Sequence, residues 1–258
     1  MERTTSSDGT VIAFDRIGEG PPIVLVCGGS VDRMSNAGLA AELANDLTVY
    51  NFDRRGRGDS GDTAPYAIQR EIEDIAAVME RGGGSAHLYG SSSGASLAME
   101  ATAAGLPVER LVLWEPPYSV GGRPDLPADT ASVYREMVDA GHRGDAVEYF
   151  MSKVVGLPPE FVDGAREAPW WAQQEALAHT LAYDAAVMGD YTIPAETAKT
   201  VPVPTIIIDG EASFPMMHET ADALAELIPD AKRHTLPGQE HNVDPTVLAP
   251  VIVQFVGS

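Results

Sequence analysis

Residues 88–100 read LYGSSSGASLAME, three consecutive serines held between two glycines. The stretch before it, AHLYG (86–90), is short, apolar and suited to a strand. The stretch after it, SGASLAMEATAAG (93–105), is a helix of small residues ended by a glycine. The serines therefore sit where a strand turns directly into a helix. Only the middle one, Ser92, has glycines two positions away on both sides, Gly90 and Gly94. A nucleophile on so sharp a turn takes a strained backbone, and bulky residues at those two positions would clash. The turn lifts the hydroxyl clear of a sheet and sets it at a helix N-terminus, where N–H groups favour negative charge. Ser92 is the expected nucleophile. The backbone N–H of Ser93, which follows it, is a natural oxyanion donor.

Outward from this turn the chain alternates short apolar runs with amphipathic stretches. Expected strands lie at 10–18, 22–29, from 47 into the charged loop 52–61, and at 86–90, 108–117, 201–210 and 231–236. PIVLVCGG (22–29) is apolar throughout, as a strand buried on both faces should be. Helices are expected at 37–46, 66–84, 93–105, 216–228 and 244–256. The second is the clearest, with Ile68, Ile72, Ile75, Val78 and Met79 at three- and four-residue steps. Such alternation implies an α/β fold, a mostly parallel sheet with helices on both faces. Residues 118–200 break the rhythm. They read as a helical insertion, with helices near 128–140, 143–155 and 167–189, between core segments 1–117 and 201–258.

Composition narrows the function classes. The 258 residues carry 38 Asp plus Glu against 17 Lys plus Arg, a formal charge of −21. That field repels phosphate backbones and anionic lipid, so neither nucleic acid nor a membrane surface is expected as partner. No apolar run reaches the roughly 18 residues of a membrane span, and the polar N-terminus lacks a signal core. A cytoplasmic protein acting on a small molecule, monomeric or homodimeric, is expected. The single cysteine, Cys27, ends an apolar run and reads as a buried, inert thiol. No Cys–His cluster suggests a metal site.

A serine nucleophile needs a base, and six histidines compete. His87 and His234 fall in strands, His218 in a helix, and His142 and His179 in the insertion. His241, in the loop LPGQEHNVDP between the last strand and the last helix, is the one placed to reach Ser92 from the sheet's C-terminal edge.

With VCGG (26–29), FDRRGRGDSG (52–61), GSSSG (90–94) and LPGQEHNV (236–243) falling in this order, the chain resembles the α/β-hydrolase superfamily over nearly its whole length. The resemblance implies an eight-stranded sheet, a helical cap inserted after the sixth strand, and no cofactor. It makes Gly29 the second oxyanion donor beside Ser93, and makes Asp53 and Arg54 parts of a structural loop. Two departures stand out. Cys27-Gly28 replaces the His-Gly common after the third strand. The acid position after the seventh strand, in GEAS (210–213), holds Ser213, which cannot carry the charge that stabilises an imidazolium. Glu115, at the end of the sixth strand in LWEPPY, is the favoured substitute, since some relatives use an acid there; Asp209 and Glu211 are the alternatives. Trp170, Trp171, Tyr183 and Met188 in the insertion, with Phe214 and Met216 after the seventh strand, are candidates to line an acyl pocket. The expected activity is cleavage of an ester, lactone or thioester through an acyl-enzyme. A cofactor-free perhydrolase or haloperoxidase on the same triad, and a ligand-binding or cyclising protein without turnover, remain open. Epoxide hydrolases and dehalogenases are disfavoured, because the resembling members use an Asp where Ser92 stands.

Overall fold

The computed structural model describes residues 1–257. Its eight strands are β1 (Glu2–Thr5), β2 (Val11–Ile17), β3 (Pro22–Val26), β4 (Thr48–Phe52), β5 (Ala86–Ser91), β6 (Val108–Trp114), β7 (Thr205–Gly210) and β8 (Ala231–Leu236). They form one sheet in the order β1-β2-β4-β3-β5-β6-β7-β8. The β1–β2 and β2–β4 pairs are antiparallel and all others parallel. The helices of the first half are α1 (Ala37–Leu43), α2 (Ile68–Arg81) and α3 (Ser93–Ala103). Between β6 and β7 come α4 (Thr130–Asp139), α5 (Arg143–Tyr149), α6 (Pro159–Arg166), α7 (Trp171–Leu177), α8 (Leu181–Met188) and α9 (Ala195–Lys199). The chain closes with α10 (Pro215–Leu227) and α11 (Pro245–Val256). This is the α/β-hydrolase fold.

The period-two geometry of β3 explains its unbroken apolarity. Val24 and Val26 join a cluster with Ile75 and Val78 of α2, Leu97 of α3 and Leu224 of α10. Ile23 and Leu25 face the other way, with Leu39 and Leu43 of α1 and Leu248 and Ile252 of α11. Both faces are dry, so no polar position is tolerated. A third cluster lies wholly within the helices between β6 and β7, among them Tyr134, Val147, Val162, Trp171 and Leu181.

Sequence periodicity did not reveal β1, α6 or α9. Strand β1 (ERTT) is a mostly exposed edge strand that needs no apolar face. Helix α6 opens on Pro158-Pro159, a pair well suited to a first turn. The helix expected at 143–155 ends at Tyr149, and residues 150–155 continue as a π-turn. Such turns gather at functional sites, and this one borders the cavity described next.

Candidate active site

Ser92 has φ 54° and ψ −128°, outside the regions open to ordinary residues. Holding it there costs about 1–3 kcal/mol, recovered from the surroundings. Its N–H donates to the Trp114 carbonyl at 2.8 Å, and its own carbonyl accepts from Ala95 at 2.8 Å. A Cβ on Gly90 would come 2.3 Å from the Gly94 carbonyl. One on Gly94 would come 2.4 Å from that of Cys27. Both glycines are therefore demanded by close backbone approach.

His241 is fixed from two sides. Its carbonyl accepts from Trp114 Nε1 at 3.1 Å, and its Nδ1 lies 2.5 Å from Glu115 Oε2. A carboxylate at Nδ1 selects the tautomer with the proton on that nitrogen, leaving Nε2 as acceptor. Glu115 is fully buried. Its other partners are neutral donors, Gly210 N–H at 2.8 Å to Oε1 and Ser213 Oγ at 2.9 Å to Oε2. Ser213 thus donates to the carboxylate that meets His241. Neither alternative carboxylate meets His241. Asp209 is enclosed by Arg233, His218 and Thr235. Glu211 accepts from Gly238 N–H at 2.9 Å and is exposed.

Gly29, Ser92, Ser93 and His241 share the wall of a cavity of about 90 Å³. Met188, Phe214 and Met216 line it, as do Phe150, Val154 and Val155 of the π-turn and Tyr191. Three pocket candidates lie elsewhere, one exposed and two claimed by other partners. Trp170 is 40% exposed. Trp171 packs in the insertion's own core under the Arg166 guanidinium. Tyr183 stacks on Tyr66 at 4.0 Å and donates to Asp62. On the other side of Ser92 and His241 opens a second, wider cavity of about 400 Å³, with Ser91, Tyr89, Asn242 and Pro245 on its walls.

Around the first cavity stands a buried charge cluster that sequence reading missed. Asp184 of α8 accepts from Arg54 at 2.7 Å, from Ser93 Oγ at 2.8 Å and, through both of its oxygens, from Arg57 Nη2 at 2.9 Å. Arg54 also pairs with Glu71 through two hydrogen bonds, 2.6 and 2.7 Å. Burial opposes ionisation of Asp184, but the Arg57 and Arg54 guanidinia outweigh it and hold the carboxyl below its ordinary value. Asp53 plays the loop role expected of it, accepting from the N–H groups of Arg33 and Asp59, each at 2.8 Å. Cys27 is buried, and that burial pushes its thiol up, away from reactivity. Among the described residues no group of three or more His, Cys, Asp or Glu is arranged to hold a metal ion, and no helix is long and apolar enough to cross a membrane.

Residues 23–251 match the model of the alpha/beta hydrolase family, and the chain belongs to that family. A solved alpha/beta hydrolase from Sphaerobacter thermophilus superposes with a TM-score of 0.92 at 50% identity, covering 99% of this chain and 100% of that one. An enol-lactonase from Burkholderia xenovorans superposes at 0.73 with 22% identity over the whole of both chains, a likeness of fold alone. Among curated proteins, N-formylmaleamate deformylase of Pseudomonas putida is 36% identical over 115 residues, an alignment spanning 43% of each chain.

Proposed function

We propose that the protein is a serine hydrolase that cleaves carboxylic esters, and by the same chemistry lactones or thioesters, through an acyl-enzyme on Ser92. The observation that carries this reading is the 2.5 Å contact between Glu115 and the Nδ1 of His241, beside a serine held at φ 54° on the same cavity wall. In the first half-reaction Ser92 Oγ bonds to the substrate carbonyl carbon while His241 Nε2 takes its proton. The carbonyl oxygen, now negative, is held by the N–H groups of Gly29 and Ser93. His241 then returns the proton to the departing alkoxide as the carbon–oxygen bond breaks. Water repeats the attack, His241 takes its proton, and the acid leaves as Ser92 Oγ is reprotonated. Glu115 stabilises the imidazolium in both halves without itself accepting a proton. An acid bonded to the histidine also removes the main argument for a binding protein without turnover.

The two cavities divide the substrate. The leaving group must depart before water enters, so it belongs in the wider cavity of about 400 Å³. The acyl group then occupies the chamber of about 90 Å³. A dry apolar cavity of about 150 Å³ admits benzene, so this chamber fits an acyl chain of only a few carbons. The deformylase among the relatives, whose name implies loss of a formyl group, is consistent with a small acyl side.

The test is a panel of p-nitrophenyl esters from acetate to octanoate, plus benzoate, with Ser92→Ala as control. Turnover that peaks at acetate to butyrate and vanishes in Ser92→Ala is the expected result. Activity surviving in Ser92→Ala contradicts the mechanism, and a preference for benzoate contradicts the chamber assignment.

A further inference from the structure

The charge cluster behind the oxyanion donors suggests more than a latch. Arg57, fully buried, donates through Nη1 to the carbonyl of Gly28 at 2.5 Å and to that of Val31 at 3.2 Å. The Gly28 carbonyl and the Gly29 N–H belong to one planar peptide group, joined by resonance. A cation hydrogen-bonded to the oxygen draws electron density from the nitrogen and makes that N–H a stronger, better-aligned donor. The Nη2 of the guanidinium is fixed by both oxygens of Asp184, which comes from the insertion 127 positions along the chain. Asp184 Oδ1 also accepts from Ser93 Oγ, tying down the residue of the second donor.

We propose that Arg57 is a positioning residue of the oxyanion hole: it polarises and orients the Gly28–Gly29 peptide, and Asp184 of the helical insertion holds it there. The proposal rests on the acyl-enzyme reading above. The competing role, a clamp between insertion and sheet, explains less. Buried ion clusters add little net stability over apolar packing. Arg57 Nε, moreover, has no hydrogen-bond partner among the described residues, a cost that a purely structural residue has no reason to carry.

The experiment compares wild type, Arg57→Gln and Arg57→Lys in steady-state ester hydrolysis and in the infrared carbonyl stretch of the trapped acyl-enzyme, with near-UV circular dichroism as the fold control. Arg57→Gln is expected to lower kcat by about tenfold to a hundredfold, less than the loss of a whole oxyanion donor. Its KM should stay within about twofold, and the acyl carbonyl stretch should rise as the hole loosens. Arg57→Lys keeps the buried charge; it should fold even if Arg57→Gln does not, and recover part of the loss. A carbonyl stretch unmoved in a folded variant, with only thermal stability reduced, overturns the proposal and leaves the clamp. Failure of a fluorophosphonate to label Ser92 in wild type would overturn the acyl-enzyme reading as well, so the two failures are distinguishable.

Discussion

Two adjacent strand ends each place a buried carboxylate 2.5 Å from a histidine Nδ1, Glu115 with His241 after β6 and Asp209 with His218 at the end of β7. The distances are equal and the chemistry is not. Glu115 is otherwise held only by the neutral Gly210 N–H and Ser213 hydroxyl. Its charge is free for the imidazolium that the proposed mechanism forms beside Ser92. Asp209 is gripped by the Arg233 guanidinium through two hydrogen bonds and by Thr235. That charge is already compensated, and His218 lines neither cavity beside Ser92. A carboxylate–histidine contact becomes catalytic through what else the carboxylate touches and what the histidine faces.

The sharpest way to break the comparison is to neutralise each acid in turn. Glu115→Gln should lower kcat by about 10⁴-fold, the effect of a wrong imidazole tautomer. Asp209→Asn should leave kcat within a few-fold of wild type in the same ester assay. The roles reverse for stability. Asp209 is buried under three donors, while Arg233 is a quarter exposed and keeps Asp222, so Asp209→Asn should lower Tm measurably in a thermal melt. Burial opposes the charge of Asp209, but hydrogen bonds from Arg233, His218 and Thr235 hold its carboxyl below the ordinary value. A depressed folded-state pKa gives stability that is full above the unfolded value, about 3.9, and fades as pH falls through the folded one. The Tm gap between wild type and Asp209→Asn should therefore be constant near neutrality and close below about pH 4.

Smaller perturbations sharpen the picture. Met188→Ala should enlarge the acyl chamber and move the ester optimum toward longer chains. Its stability cost should be at most the 2–5 kcal/mol of a buried Met truncation. Ser213→Ala removes one donor from Glu115, and its effect on kcat should be under about tenfold, in line with the roughly 1 kcal/mol of a single hydrogen bond. A fall as large as that of Glu115→Gln would mean that Ser213 acts in the relay itself.

What could be read from sequence followed the range of the physics. The parallel sheet showed in β3 and α2, because burial on one or two faces writes a period into neighbouring residues. The Ser92 turn showed because Gly90, pressed against the Gly94 carbonyl, and Gly94, pressed against that of Cys27, flank the serine at a fixed two-residue spacing. Glu115 was favoured as a strand-end acid, but only the fold shows that Asp209 is spent on Arg233. Asp184 gave no local signal, since its partners Arg57 and Ser93 lie 127 and 91 positions away. Two aromatics of the insertion misled for the same reason: Trp171 and Tyr183 satisfy partners within or below the insertion, and the π-turn of Phe150 and Val154 took the wall beside Phe214.

The most direct test is fluorophosphonate labelling of wild type, Glu115→Gln and Asp209→Asn, followed over time and mapped by mass spectrometry. The Ser92–His241–Glu115 account predicts a single label on Ser92, slowed by orders of magnitude in Glu115→Gln and unchanged in Asp209→Asn. Equal labelling rates in the two variants, or a label on Ser91 or Ser93, would contradict it.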